Sequence, residues 1–178
     1  MTNMDIQIKP YSALPCTLRI FTINGNHEFI NGVNSSVKYA EKLGMKILRD
    51  EYKFIDSSFY VVGREDASMI QFTGKQRRTL QQIVESIETE HPIILLDHTP
   101  YRLEEAQKNN IALQLSGHTH HGQIWPANII TNMIYEVSRG YKKKGNTHYY
   151  VSSGAGTWGP PVRTGSKSEI VYIKLKFK

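Results

Sequence analysis

Three apolar runs in this chain stop abruptly, each in residues that can hold a metal ion. "LRIFTI" runs into "NGNHE", "IILL" into "DH", and "IALQLS" into "GHTHH". A short β-branched and apolar run bounded by polar residues reads as a buried strand. In sheets that alternate with helices, ligands gather outside the carboxyl ends of the strands. If the three strands are neighbours, Asn26, His27, His98, His118 and His120 converge on one sheet margin. His118 and His120 are two apart, so extended chain puts them on one face and turns His121 away. Imidazole nitrogens with an amide oxygen suit zinc, iron, manganese and similar divalent ions. Gly25 and Gly117 stand where the backbone must leave a strand and turn. Taken singly, His98 fits a satisfied polar residue, and Asn26 beside Gly25 fits a turn. Taken together, the three strand ends favour a site.

The remaining pattern supplies the scaffold. Spacing predicts a helix over "NSSVKYAEKLG", capped by Asn34 and stopped at Gly44. "MKILRDEYKFIDSSFYVVG" reads as short strands separated by turns. A longer helix follows, with Thr73 and Gln76 spaced as a capping box and Leu80, Ile83, Val84 and Ile87 as its core stripe. "YRLEEAQKNN" predicts a short helix and "HYYVSSG" a strand. At the end, Val171, Ile173, Leu175 and Phe177 alternate with Tyr172, Lys174, Lys176 and Lys178, a half-exposed strand. Strands alternating with helices give an α/β class. The 178 residues suffice for one domain with a real core.

Composition removes several classes. A single cysteine, Cys16, excludes an internal disulfide and a Cys-based zinc site. No run approaches the ~18 apolar residues of a membrane span. The N-terminus has no apolar core resembling a signal peptide, so the chain reads as soluble and cytoplasmic. A net charge of +6 favours anionic partners: phosphorylated substrates, nucleic acid or acidic membrane surfaces. Lys142 to Lys144 fit a solvated surface, and no recognised nucleic-acid motif is present. The Gly-rich stretch from Ser152 to Pro161 lacks a Walker-type lysine and reads as a turn-rich loop flanking the pocket. Trp125 and Trp158 fit aromatic packing. His91 and His148 stand alone. Asp97, next to His98, faces the opposite way in a regular strand and needs an irregular backbone to reach a metal.

"GNHE", the isolated "DH" and "GHTH" resemble, in that order, the later motifs of the calcineurin-like metallophosphoesterases. Within that superfamily, "GHTHHGQIWP" and "YVSSGAGTWGPPVR…SEIVYIKL" look like a bacterial branch of phosphodiesterases and phosphohydrolases. The likeness runs from about Leu18 to Lys176. It implies the C-terminal portion of a two-sheet α-β-β-α sandwich, acting as a hydrolase of phosphoric mono- or diesters, a phosphodiesterase or phosphatase. The family holds two divalent cations about 3.5–4 Å apart with a bridging hydroxide that attacks phosphorus. By motif position, Asn26, His98 and His118 bind the second metal and His120 the first. His27 is then the acid that protonates the leaving group, and Glu28 steadies its neighbours. His121 replaces a glycine usual in the branch, which reshapes the pocket rim.

Two earlier family motifs, D-x-H and G-D-x-x-D, are absent. Only 25 residues precede Asn26, and their sole acid, Asp5, lacks the flanking glycine and second aspartate. Four neutral ligands leave two dications uncompensated where Coulomb terms are large. One ion on Asn26, His98 and His118 is consistent with that balance, and activity is expected to be crippled or weak. A degenerate metal- or phosphate-binding protein without turnover is the alternative, and a basic nucleic-acid-binding protein a weaker third. The missing segment supplies central strands of the family fold, so residues 1–178 form a single incomplete domain. Either a truncated reading frame or a homodimer covering the exposed sheet edge accounts for the chain.

Overall fold

The computed structural model describes residues 4–7, 19–88 and 90–176. In chain order the strands are β1 (Met4–Gln7), β2 (Ile20–Thr22), β3 (Met45–Ile47), β4 (Glu51–Ile55), β5 (Phe59–Gly63), β6 (Ile93–Leu96), β7 (Leu113–Ser116), β8 (Gly140–Lys144), β9 (Thr147–Val151) and β10 (Tyr172–Leu175). The helices are α1 (Asn26–Ile30), α2 (Val33–Lys42), α3 (Met69–Thr73), α4 (Leu80–Val84), α5 (Leu103–Lys108) and α6 (Ala127–Ile134). Cys16, Thr17, Leu18, Phe177 and Lys178, which figure in the sequence reading, lie outside the described residues.

The centre is a six-stranded mixed sheet in the order β4-β5-β6-β7-β9-β8. Strands β5, β6, β7 and β9 run parallel, and β4 and β8 close the edges antiparallel. Helical crossovers cover a parallel sheet on its faces, so its strands read as unbroken apolar runs. "IILL" is such a run, and its alternate residues divide between two cores. Leu95 packs with Val62, Leu80, Ile83, Leu103 and Tyr149. Leu96 packs with Val61, Leu48, Phe21 and Ile23, beneath a second sheet of β2 paired parallel to β3. Gly63 is the contact point: a Cβ there would collide with the Leu48 side chain, so glycine lets the small sheet lie on the large one. β1 pairs antiparallel with β10, which sets Asp5 opposite Lys174.

Three details differ from expectation. The N-cap of α2 is Gly32 rather than Asn34, which lies inside the helix, while Gly44 does follow it with φ +78°. The capping box belongs to Thr79 and Gln82: the Thr79 hydroxyl accepts from the Gln82 amide at 3.2 Å and Gln82 accepts from the Thr79 amide at 2.9 Å. Thr73 instead ends α3, because Gly74 adopts the left-handed conformation that stops a helix. Trp125 and Trp158 do not pack inward; they are 66% and 51% exposed.

Candidate metal and phosphoester site

Two of the three strand ends are neighbours and the third arrives from the other sheet. β6 and β7 lie side by side, and the Gly117 amide donates to the His98 carbonyl at 3.0 Å, tying their exits together. Asn26 opens α1 after β2. Its loop is fixed to the large sheet by a buried network in which Asn24 Nδ2 donates to Glu65 Oε1 (2.7 Å) and Arg49 Nε to Glu65 Oε2 (2.6 Å). Glu28 closes the turn by accepting from the Gly25 amide at 2.8 Å.

Three donors then meet. His98 Nε2 stands 3.1 Å from Asn26 Oδ1 and 3.2 Å from His118 Nδ1, with the two rings nearly perpendicular. One proton on His98 Nε2 cannot make conventional hydrogen bonds to both neighbours. A cation satisfies all three lone pairs at once. Donors held ~2.0–2.2 Å from one ion stand roughly 3.0–3.5 Å from each other, so the observed spacing fits. Among the described residues no three His, Cys, Asp or Glu side chains form a metal-sized group. The convergent set is two imidazoles and an amide.

Burial, the first cause in each case, holds His98, His118 and His120 below the ordinary imidazole value of 6.5. Neutral imidazole is the form that ligates. Asp66 opposes the shift at both His98 and His118. A pH dependence follows. Below pH 6.5 the unfolded chain takes up protons that these folded imidazoles resist, so acidification from pH 7.5 to 5.5 lowers the denaturant midpoint of the metal-free protein. A midpoint that is flat or rises over that interval would contradict the burial of these rings.

Asn26, His27, His98, His118 and His120 all line one cavity of about 370 Å³. His27 is exposed and lies outside the three-donor cluster. His120 also lies outside it: Gly154 packs against its ring, and Arg163 Nη2 sits 3.4 Å from its Nδ1. The chain here is not extended. His118, His120 and His121 all have positive φ, and His120–Gly122 form a 3-10 turn. His121 leaves the cavity, its Nδ1 lying 3.0 Å from Ser138 Oγ. A larger cavity of about 820 Å³ opens beside Arg64, Arg77 and Arg102 and contains no imidazole. Its Tyr101 stacks on Tyr135 of the histidine cavity at 4.9 Å.

Asp97 does not join the three donors or line the histidine cavity. It is buried between Arg64 (3.1 Å) and Arg77 (3.0 Å). The sequence reading missed Glu65 and Asp66, both buried at the exit of β5. Asp66 Oδ1 accepts from the Ser68 amide at 2.8 Å, and its other oxygen faces the Thr99 hydroxyl at 3.4 Å. "FYVVGRED" is a fourth apolar run that stops in charged residues, the same signal that marked the other three.

The chain is 32% identical over 180 residues to an uncharacterised metallophosphoesterase of Aquifex aeolicus, covering all of this chain and 69% of that one. It is 35% identical to an uncharacterised metallophosphoesterase of Campylobacter jejuni, over 91% of this chain and 43% of the relative. It is 30% identical to a Bos taurus transmembrane protein with metallophosphoesterase domain, over 95% and 41% respectively. The chain thus spans less than half the length of the last two. Among the described residues no helix is long and apolar enough to cross a membrane. No family model and no solved structure matches the chain. With all 178 residues aligned to the Aquifex relative and the histidine motifs gathered on one cavity, the chain belongs to the metallophosphoesterases.

Proposed function

We propose that the histidine cavity is a metal-dependent site for hydrolysis of phosphoric mono- or diesters, with one divalent ion held by Asn26 Oδ1, His98 Nε2 and His118 Nδ1. The convergence of those donors at 3.1 and 3.2 Å carries the reading. An ion there supplies Lewis-acid polarisation of a phosphoryl oxygen and a lower pKa for water. His120, set apart with Arg163 beside it, contacts the phosphoryl group or a second ion. His27, outside the cluster and open to solvent, donates the proton that the leaving oxygen needs. All four candidate ligands are neutral, so the ion keeps its charge and attracts the anionic ester. Buried Asp66, whose charge reaches both His98 and His118, offsets part of that charge.

The same neutrality favours a second reading, a protein that binds metal or phosphate without turnover. Metal content and hydrolysis of an aryl phosphodiester with added Mn²⁺, measured on one preparation, separate the two. Hydrolysis lost in His118→Ala, with about one ion bound per chain as this three-donor set implies, supports the hydrolase. One ion without hydrolysis supports the binding protein; no ion overturns the hydrolase and the metal-binding form of the second reading, and no retention of inorganic phosphate removes its phosphate-binding form.

A further inference from the structure

We infer that the outward face of α6 is a membrane-docking surface, which lays the mouth of the histidine cavity against the headgroup layer of an anionic bilayer. The helix is amphipathic in the reverse sense for a surface helix. Ile129, Ile130, Met133 and Ile134 repeat at i, i+1, i+4 and i+5, along one side, and are 54%, 58%, 82% and 54% exposed. A surface helix normally turns such a stripe to the core, yet α6 buries none of its residues. Trp125 precedes it at 66% exposure, and Trp158 adds another exposed ring at the cavity rim. Single exposed apolar residues need no explanation, but a contiguous set beside a cavity marks an interaction surface. Ile130 and Ile134 also line the cavity, so the patch is continuous with its mouth.

Charge selects the occupant. Residues 120–169 contain Arg139, Lys142, Lys143, Lys144, Arg163 and Lys167 against two acids, Glu136 and Glu169, so this stretch holds four of the six net positive charges of the chain even with Glu136 between Lys142 and Lys144 and Glu169 beside Arg139. Both flanks of the patch share in it. Arg139 follows α6, and the loop bearing Arg163 and Lys167 is tied to the patch by the Trp125 amide donating to Thr164 Oγ1 at 3.0 Å. An anionic bilayer offers hydrocarbon to the isoleucines, an interface to the indoles and negative potential to the cations. A second copy of this face would instead set like charges against each other.

The inference rests on the phosphoester reading only for what enters the cavity, and its test needs neither metal nor turnover. Metal-free protein is floated with vesicles of phosphatidylcholine, alone or mixed with phosphatidylglycerol, some carrying brominated acyl chains. Only two tryptophans are present, so their quenching reports which face meets the bilayer. The mixed vesicles are expected to float the protein and quench its emission. An Ile129→Glu/Met133→Glu variant with an unchanged thermal midpoint should bind at least about tenfold more weakly. His118→Ala, defective in the proposed hydrolysis, should float like the wild type. No flotation with either vesicle, flotation undiminished in the double variant, or flotation without quenching overturns the inference. So does a dimer that the double variant dissolves while vesicles stay unbound, which would assign the face to a second copy. A wild-type protein that floats but hydrolyses no phosphoester defeats only the phosphoester reading.

Discussion

Gly25→Ala is expected to weaken divalent-metal binding by about 10- to 100-fold while leaving the fold intact, the range seen when the groups that orient a ligand are disturbed. Gly25 has φ −106° and ψ −176°, extended backbone that alanine adopts freely, so no local strain opposes the change. Space is the obstacle. A methyl group at Gly25 would lie 2.7, 2.8 and 2.9 Å from Nε2, Cε1 and Cδ2 of His98. The ring must retreat by about 0.7 Å to restore ordinary contact, and metal–ligand distances tolerate about 0.2 Å. His98 is the donor shared by both close pairs of the cluster, so its displacement opens the whole set. Gly117→Ala is the control. It lies as close in sequence to His118 as Gly25 does to Asn26, yet nothing stands within 4 Å of a Cβ there. Calorimetric titration with Mn²⁺ should show Gly117→Ala near wild type and Gly25→Ala far weaker. Equal affinities for the two variants would mean that His98 does not hold the ion.

That contrast also marks what the sequence could reveal. Both glycines look alike as exits from strands; only the structure shows that one clears an imidazole and the other clears nothing. The ends of β6 and β7 were legible because a parallel pair buries both faces and advertises itself as apolar runs with polar stops. The arrival of Asn26 was legible only as a motif. Its strand belongs to another sheet, held by Leu48 against Gly63 and by Asn24 on Glu65, 41 residues away. Contacts of that separation leave no local pattern. β8 was hidden because Lys142 and Lys144 read as a solvated cluster, whereas both grip Glu136, at 2.9 and 2.8 Å, along a sheet edge. The α6 face was hidden by its orientation. Periodicity marks an apolar stripe and does not say whether the stripe turns inward.

Asp97→Ala should separate a structural carboxylate from a catalytic one beside the same histidine. Burial pushes the Asp97 carboxyl up, and Arg77 and Arg64 offset only part of that rise. Arg64 is only 5% exposed and shares its Nη1 between Asp97 (3.1 Å) and Glu105 (2.9 Å). Removing one partner of a buried pair leaves charge without compensation and costs about 3–5 kcal/mol. For a domain of this size that corresponds to a fall in melting temperature of roughly 6–20 °C. The loss should be large because Arg77 is anchored by the same carboxylate, at 3.0 Å. Metal affinity, measured below the lowered melting temperature, should stay within about threefold of wild type, because Asp97 contributes no donor to the cluster. Asp97→Asn should be intermediate in stability, since one amide oxygen can still accept from a guanidinium. A ligand role predicts the opposite pattern, with stability nearly kept and affinity lost. On the expected result, direct neighbours in sequence divide the work: His98 is the proposed ligand, and Asp97, paired with Arg64 and Arg77, ties the ends of β5 and β6 together so that His98 keeps its place.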